Sequence, residues 1–92
     1  MGAVVKIPTP LRRVTSGKDS AMVSGGSLRE CLNQLESQFP GLKERIVDAG
    51  SGELHRFVNI YVNGEDVRFL QGLQTALKDG DEVSIVPAVA GG

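Results

Sequence analysis

Gly91 and Gly92, the last two residues printed, form the pattern with the clearest chemical use. A carboxylate that follows two residues without side chains can enter a channel too narrow for a Cβ atom, and glycine accepts backbone angles that other residues avoid. A free carboxylate is a poor electrophile, but adenylation by ATP gives it a good leaving group. A sulfur donor can then convert Gly92 into a thiocarboxylate. An ordinary frayed chain end is the alternative interpretation.

Side chains suited to catalysis are sparse. His55 is the only histidine and Cys31 the only cysteine. The sequence therefore contains no Cys-x-x-Cys motif, and we expect no histidine-based metal cluster. Cys31 falls on the apolar side of a predicted helix, where a buried and inert thiol is expected. Gly25-Gly26-Ser27 lacks the lysine and the glycine spacing of a phosphate loop. We expect no catalytic residue, metal or bound cofactor in this chain.

Length and composition predict one small domain. The chain has 92 residues, of which 40% are apolar and 23% charged, and a net charge of −1. This balance gives no reason to expect nucleic acid or an anionic membrane as a partner. No signal-peptide pattern precedes the first strand, so a cytoplasmic location is expected.

The first half of the sequence predicts two strands followed by a helix. Residues 3–7 form a short strand that ends at Pro8, and residues 20–24 form its antiparallel partner. Ser27 and Glu30 match a capping box at the start of a helix that Pro40-Gly41 ends. The apolar stripe of this helix is Leu28, Cys31, Leu32, Leu35 and Phe39. A short helical turn follows over 42–47.

The second half predicts a hairpin and a final strand. Alternating residues over 57–62 indicate a strand whose Val58, Ile60 and Val62 face the core. Asn63-Gly64 is typical of a two-residue hairpin turn, with a short returning strand expected over 67–69. Residues 71–77 are irregular or form a single turn, and a turn at 79–81 leads into a last strand over 82–86.

This order of elements predicts an α+β fold of the β-grasp type. A helix with one apolar stripe covers one face of a mixed sheet of four to five strands, and the first and last strands lie parallel and adjacent. We expect a domain over 1–87 and a flexible tail over 88–92. Fully extended, five residues span at most about 16–18 Å, enough for Ala88, Val89, Ala90 and Gly91 to thread into a partner's active site.

Four side chains near the expected base of the tail are candidates for partner docking. Arg56 and Arg68 flank the strands predicted to lie there, although most arginines are ordinary surface charge. Phe57 and Tyr61 fall on the strand face opposite the core. If exposed, they form the apolar centre of a binding patch. Burial of Phe57 at a sheet edge is the alternative.

Several segments resemble ubiquitin-like sulfur-carrier proteins, which include the small subunit of molybdopterin synthase and the thiamine sulfur carrier. The likeness is carried by LKDGDEVSIVPAVAGG at 77–92, IPTPLR at 7–12 and LHRFVNIYVN at 54–63, so it covers nearly the whole chain. Residues 55–69, including EDVRF at 65–69, are most similar to the actinobacterial carrier that supplies sulfur for cysteine synthesis.

The resemblance implies a sequence of partner enzymes. A ubiquitin-activating-type enzyme would use ATP to adenylate Gly92 and a sulfide source to make the thiocarboxylate. The thiocarboxylate would attack the aminoacrylate held by a pyridoxal-phosphate (PLP) cysteine synthase that uses O-phosphoserine. An acyl shift would leave cysteine amide-linked to Gly92, and a zinc metalloprotease would release it. The chain itself would be a protein co-substrate, not an enzyme.

Other functions remain open at this point. The chain could carry sulfur for molybdopterin, thiamine or tRNA thiolation. It could be a modifier joined through Gly92 to lysines of other proteins, or a binding module whose sheet face acts while its end is incidental.

Overall fold

The computed structural model describes residues 2–24 and 26–87, and its regular elements follow the predicted order closely. The strands and the helix are β1 Ala3–Lys6, β2 Ser20–Val23, α1 Leu28–Gln38, β3 Val58–Val62, β4 Glu65–Asp66 and β5 Glu82–Pro87. Within this described part, 3₁₀ turns occupy Thr9–Leu11, Lys43–Arg45, Val67–Phe69 and Gly72–Gln74.

The strands form one mixed five-stranded sheet in the order β2-β1-β5-β3-β4. β1 and β5 are parallel neighbours at the centre, with Val5 opposite Val83. The other pairs, β1 with β2, β5 with β3 and β3 with β4, are antiparallel. This arrangement confirms the β-grasp prediction, including the adjacent first and last strands.

The core lies between one face of the sheet and helix α1. Val5, Ile60 and Val83 are completely buried on the strands, and Leu28 and Leu35 are completely buried on the helix. The inward residues predicted for β3 and β5 are therefore confirmed. Burial of this apolar surface is the main force that holds the helix on the sheet. The predicted turn near 42–47 adds two more fully buried side chains, Leu42 and Ile46.

The cap of helix α1 differs slightly from a standard capping box. The Ser27 hydroxyl accepts a hydrogen bond from the Glu30 N–H at 3.3 Å, as expected. The Glu30 carboxylate accepts from the N–H of Gly26, at 2.7 Å, and so reaches one residue further back than the usual motif. Ser27 itself pairs with Ala76 in an isolated antiparallel bridge. At the other end of the stripe, Phe39 is only partly buried.

The Asn63-Gly64 turn is confirmed, because both residues adopt positive φ angles, 52° and 88°. Two positive angles in succession are what a type I′ hairpin turn requires. The Asn63 side chain also donates to the Asp81 carboxylate at 2.9 Å and accepts from the Glu82 N–H at 3.0 Å. The bond from Asn63, with a second from the Lys78 N–H, lowers the pKa of Asp81. The hairpin is thus tied to the start of β5.

The strand predicted over 67–69 is wrong. The returning strand is only Glu65–Asp66, and Val67–Phe69 is a 3₁₀ turn. The Asp66 carboxylate accepts from the Arg68 N–H at 2.8 Å and caps this turn, while Val67 is completely buried beneath the sheet edge. The local cap and the buried valine together turn the chain away from β3 before a longer ladder can form.

Helix α1 supplies side chains that close the outer edge of β2. The Gln38 side chain donates to the Met22 carbonyl at 3.1 Å, and the Gln34 side chain accepts from the Ser24 N–H at 2.8 Å. Such contacts occupy backbone groups that an edge strand would otherwise offer to another chain.

None of the helices in the described parts of the chain is long and apolar enough to cross a membrane.

Replacing Leu32 by alanine tests the packing of the helix on the sheet. The Leu32 side chain is buried under α1, so Leu32→Ala should lower the free energy of unfolding by about 2–5 kcal/mol through lost burial and a residual cavity. Urea unfolding followed by circular dichroism measures the change. Ser37→Ala, on the exposed side of the same helix, is the matched control and should stay within about 0.5 kcal/mol of the parent chain. Equal effects of both substitutions would contradict this view of the core.

Candidate functional site

Strand β5 carries the chain to the base of the tail. Its last residue, Pro87, pairs with Val58 at the beginning of β3, and Val86 pairs with Asn59. The tail residues predicted to enter partner active sites, Ala88, Val89, Ala90, Gly91 and Gly92, lie outside the described residues. The structure therefore shows only where β5 ends, at Pro87. The division into a 1–87 domain and a tail stays a prediction.

A hollow of about 420 Å³ lies beside Pro87 and is called here the tail-base hollow. Four separate parts of the chain meet in it: the turn after β1, the Lys43–Arg45 turn, the segment that enters β3 and the end of β5. Its lining residues are Leu11, Glu44, Arg45, His55, Phe57, Val58 and Pro87.

His55 and Phe57 form one wall of the tail-base hollow. Their rings are stacked, with centroids 4.9 Å apart and planes 11° from parallel. His55 Nε2 lies 3.0 Å from the Glu44 carbonyl, which can only accept, so this nitrogen carries the proton. The backbone N–H of His55 donates to the Ile46 carbonyl at 3.0 Å. These bonds hold the ring against which Phe57 is placed.

Phe57 is 54% exposed, which decides between the two interpretations of this residue. It is not buried at a sheet edge, and one apolar ring is available to a partner. Tyr61 is only partly buried and lies on the open face of the sheet between Ser84 and Asp66. Phe57 lies in the turn that precedes β3 and lines the tail-base hollow, which Tyr61 does not line. The two aromatic side chains therefore do not form one patch.

Arg68 is engaged with the protein's own backbone. Its guanidinium donates to the carbonyls of His55 at 2.9 Å and Val58 at 2.8 Å, and to the side chain of Asn59 at 2.5 Å. Strand β4 pairs only with Tyr61 and Val62, so it does not reach the Val58 carbonyl on the edge of β3. Arg68 supplies the donors that a longer β4 would have provided. It thereby fixes the segment against which the end of β5 is paired.

Arg56 differs from Arg68 in its surroundings. The hydrogen bonds made by arginine side chains in the described parts of the chain are those of Arg68 and one from Arg12 Nε to the Ile7 carbonyl at 3.1 Å. Arg56 is exposed and lies between the two stacked rings in sequence. Of the two predicted docking arginines, it is the one whose guanidinium is available to a partner.

Cys31 has the inert character that the sequence predicts. It is completely buried on α1, and burial raises the pKa of its thiol to about 12. The thiolate required of a nucleophile or metal ligand is therefore disfavoured. No group of three or more histidine, cysteine or acidic side chains among the described residues could hold a metal ion.

Sequence reasoning did not identify Leu11 and Arg45 as part of the tail-base hollow. Both come from short turns, Thr9–Leu11 and Lys43–Arg45, which lack the periodicity that marks helices and strands. Only the packing of these turns against the start of β3 brings the two residues together. The sequence contains no local signal for that contact.

Comparison with known proteins gives a consistent result. The model of the ThiS family matches residues 5–92. The chain is 55% identical to the sulfur carrier protein CysO of Mycobacterium tuberculosis, with all of both chains covered. Among solved structures, it matches a chain of the Amycolatopsis orientalis BexX/CysO complex with a TM-score of 0.93 and 47% identity, covering 99% and 100% of the two chains. It also matches the small archaeal modifier protein SAMP1 of Methanosarcina acetivorans with a TM-score of 0.83 and 37% identity, covering 98% and 95%.

Replacing Arg68 by alanine tests its role at the base of the tail. Loss of the bonds to His55, Val58 and Asn59 should speed amide exchange across residues 55–59, with a local cost of about 1–3 kcal/mol. Hydrogen–deuterium exchange followed by mass spectrometry measures the effect. Arg56→Ala is the matched control and should leave the exchange of this segment unchanged. If both variants exchange like the parent chain, the side chain of Arg68 does not hold this segment.

Proposed function

This chain belongs to the ThiS family of ubiquitin-like sulfur carriers, and we propose that it carries sulfur as a thiocarboxylate on Gly92. The observation that carries the proposal is the full-length likeness to a protein named as a sulfur carrier, 55% identical with both chains covered from end to end. The family match also extends through residue 92. The resemblance inferred from the sequence is thus confirmed at the level of the family.

Members of this family act as protein co-substrates, so the chemistry is performed on this chain by other proteins. In the proposed reaction, an oxygen of the Gly92 carboxylate attacks the α-phosphorus of ATP and releases pyrophosphate. Sulfide then attacks the acyl adenylate and expels AMP, which leaves the thiocarboxylate. The adenylation step converts a poor leaving group into a good one, and no side chain of the carrier is required for it.

The role of the folded body is to present the tail at a defined place. The end of β5 is held by the antiparallel ladder to β3 that runs to Pro87, and β1 pairs with the other side of β5 nearer its start. Beyond Pro87 the chain has only small or β-branched residues before Gly91 and Gly92. A tail of this composition suits a narrow channel, and its length sets a reach of at most about 16–18 Å.

The pathway that we propose is cysteine biosynthesis. The likeness to CysO of Mycobacterium tuberculosis supports this branch of the family. The partners would be a ubiquitin-activating-type enzyme that uses ATP and a sulfide source, a PLP-dependent cysteine synthase that uses O-phosphoserine, and a zinc metalloprotease that releases cysteine from Gly92. The similarity to a chain of the BexX/CysO complex supports a protein partner of some kind.

A second candidate function is protein modification through Gly92. The similarity to the archaeal protein named a small modifier favours it, at 37% identity and a TM-score of 0.83. Conjugation would give covalent adducts heavier than the chain in cell lysates, lost when Gly91 and Gly92 are deleted. Thiocarboxylate formation without such adducts would favour the carrier function alone.

The carrier proposal predicts a specific change in mass. Incubation with the activating enzyme, ATP and a sulfide source should replace one terminal oxygen by sulfur, which intact-mass spectrometry detects. Gly91→Val or one residue added after Gly92 should abolish the change, and Gly91→Ala should reduce it less because its side chain is smaller. Thermal melts of these variants should match that of the parent chain. An unmodified parent chain in the presence of a competent activating enzyme would contradict the proposal.

The acceptor enzyme distinguishes the cysteine pathway from the other sulfur-carrier pathways. Purified thiocarboxylate should give free cysteine only when both an O-phosphoserine-dependent synthase and the metalloprotease are present. Amino-acid analysis measures the product. Sulfur delivered instead to molybdopterin, thiamine or tRNA acceptors, with no cysteine formed, would assign the chain to a different branch.

A further inference from the structure

We propose that the end of the molecule around the tail-base hollow docks an acidic protein surface, namely that of the enzyme that adenylates Gly92. The inference rests on the proposed function and adds the chemistry of the partner surface. It follows from the way the fold distributes charge between the two ends of the sheet, and from the exposed groups beside Pro87.

Basic side chains collect at the end of the sheet where β5 finishes. The segments that meet there are residues 7–20, 44–46, 55–58 and 86–87, as the contacts of Ile7 with Asp19, His55 with Ile46 and Val58 with Pro87 establish. The basic residues in these segments are Arg12, Arg13, Lys18, Arg45 and Arg56. The acidic residues are Asp19 and Glu44.

The opposite end of the sheet has the reverse balance. Residues 2–4, 62–66 and 78–82 meet there, as the bonds of Gly80 to Gly2, Val4 to Asp81 and Asn63 to Glu82 establish. Lys78 is the basic residue of these segments. The acidic ones are Glu65, Asp66, Asp79, Asp81 and Glu82. The net charge of −1 therefore conceals a charge separation along the sheet, positive at the end that bears the tail.

The exposed side chains available to contact a partner lie in or beside the tail-base hollow. Arg45 and Phe57 line it, and Arg56 lies next to Phe57 in the chain. Both arginines are exposed, whereas Arg68 is already bonded to backbone carbonyls. An exposed ring beside exposed guanidinium groups is the combination that carries binding energy in many protein interfaces. A partner surface with carboxylates around an apolar contact matches it.

Charge separation of this kind has a kinetic consequence. A negative potential on the enzyme attracts the positive end of the carrier and repels the acidic end, so productive encounters occur with the tail leading. A nucleic acid fits the surface less well. The acidic end and the negative net charge oppose a long polyanion, and the Phe57 ring already has His55 stacked on one face.

Charge-reversal variants test the proposal. Arg45→Glu and Arg56→Glu, singly and together, are compared with the parent chain in ATP-dependent pyrophosphate release by the activating enzyme, at low and high salt. At low salt each single change should raise KM by about threefold to tenfold with kcat little changed, because encounter is affected and the Gly92 chemistry is not. The difference from the parent should shrink at high salt, where surface charges are screened.

Matched controls make the result specific to this end of the molecule. Arg29→Glu changes the net charge equally on the exposed side of α1, and Arg29→Glu combined with Lys78→Glu matches the double variant. These controls should keep the KM of the parent chain. An equal rise in the controls, or an unchanged KM in Arg45→Glu and Arg56→Glu, would overturn the inference.

Two further outcomes are informative. Fluorescence anisotropy with labelled single-stranded RNA and with tRNA should show no binding that depends on Arg45 and Arg56. Such binding would overturn the inference and assign the surface to nucleic acid. If the parent chain gives neither pyrophosphate release nor a thiocarboxylate, the proposed function fails and the inference fails with it. Normal turnover with insensitive variants overturns the inference alone.

Discussion

The parallel pairing of β1 with β5 is the contact on which the rest of the structure depends. It joins residues near the two ends of the chain, and its central pair, Val5 and Val83, is completely buried. Parallel neighbours cannot be connected by a tight turn, and in this chain β2, the helix and the β3–β4 hairpin lie between them in sequence. The same pairing sets the direction of β5. The chain must therefore leave the sheet at the end where β1 finishes and β3 begins.

Side chains bond the exposed backbone along both edges of the sheet. On one edge, Arg68 bonds the carbonyls that the two-residue β4 does not reach, and on the other edge Gln34 and Gln38 bond the backbone of β2. Both devices leave fewer free backbone groups along the edges, which limits pairing with other chains. The contact made by Arg68 also lies opposite the end of β5. The same interaction thus closes an edge and steadies the place from which the tail begins.

The sequence predicts the parts of the fold that local patterns encode. The apolar stripe of α1, the alternation of β3 and the Asn63-Gly64 turn each depend on residues close in the chain, and all three are confirmed. The strand expected over 67–69 failed because the capping of Arg68 by Asp66 and the burial of Val67 outweighed a weak local pattern. The candidate site is harder to predict from local sequence patterns. Arg45 reaches the tail-base hollow only through packing between distant segments, whereas the role of Gly92 remains a prediction from sequence and family.

Burial of Cys31 has a consequence for how sulfur on this chain can be handled. The only thiol in the sequence is enclosed by the core and held in its neutral form. For the thiocarboxylate proposed at Gly92, the folded chain therefore offers no accessible thiol that could form an internal disulfide or a cyclic thioester with it. For the same reason, the thiocarboxylate proposed at Gly92 would be distinguishable by a thiol-selective reagent on the folded chain, because the protein's own cysteine is enclosed.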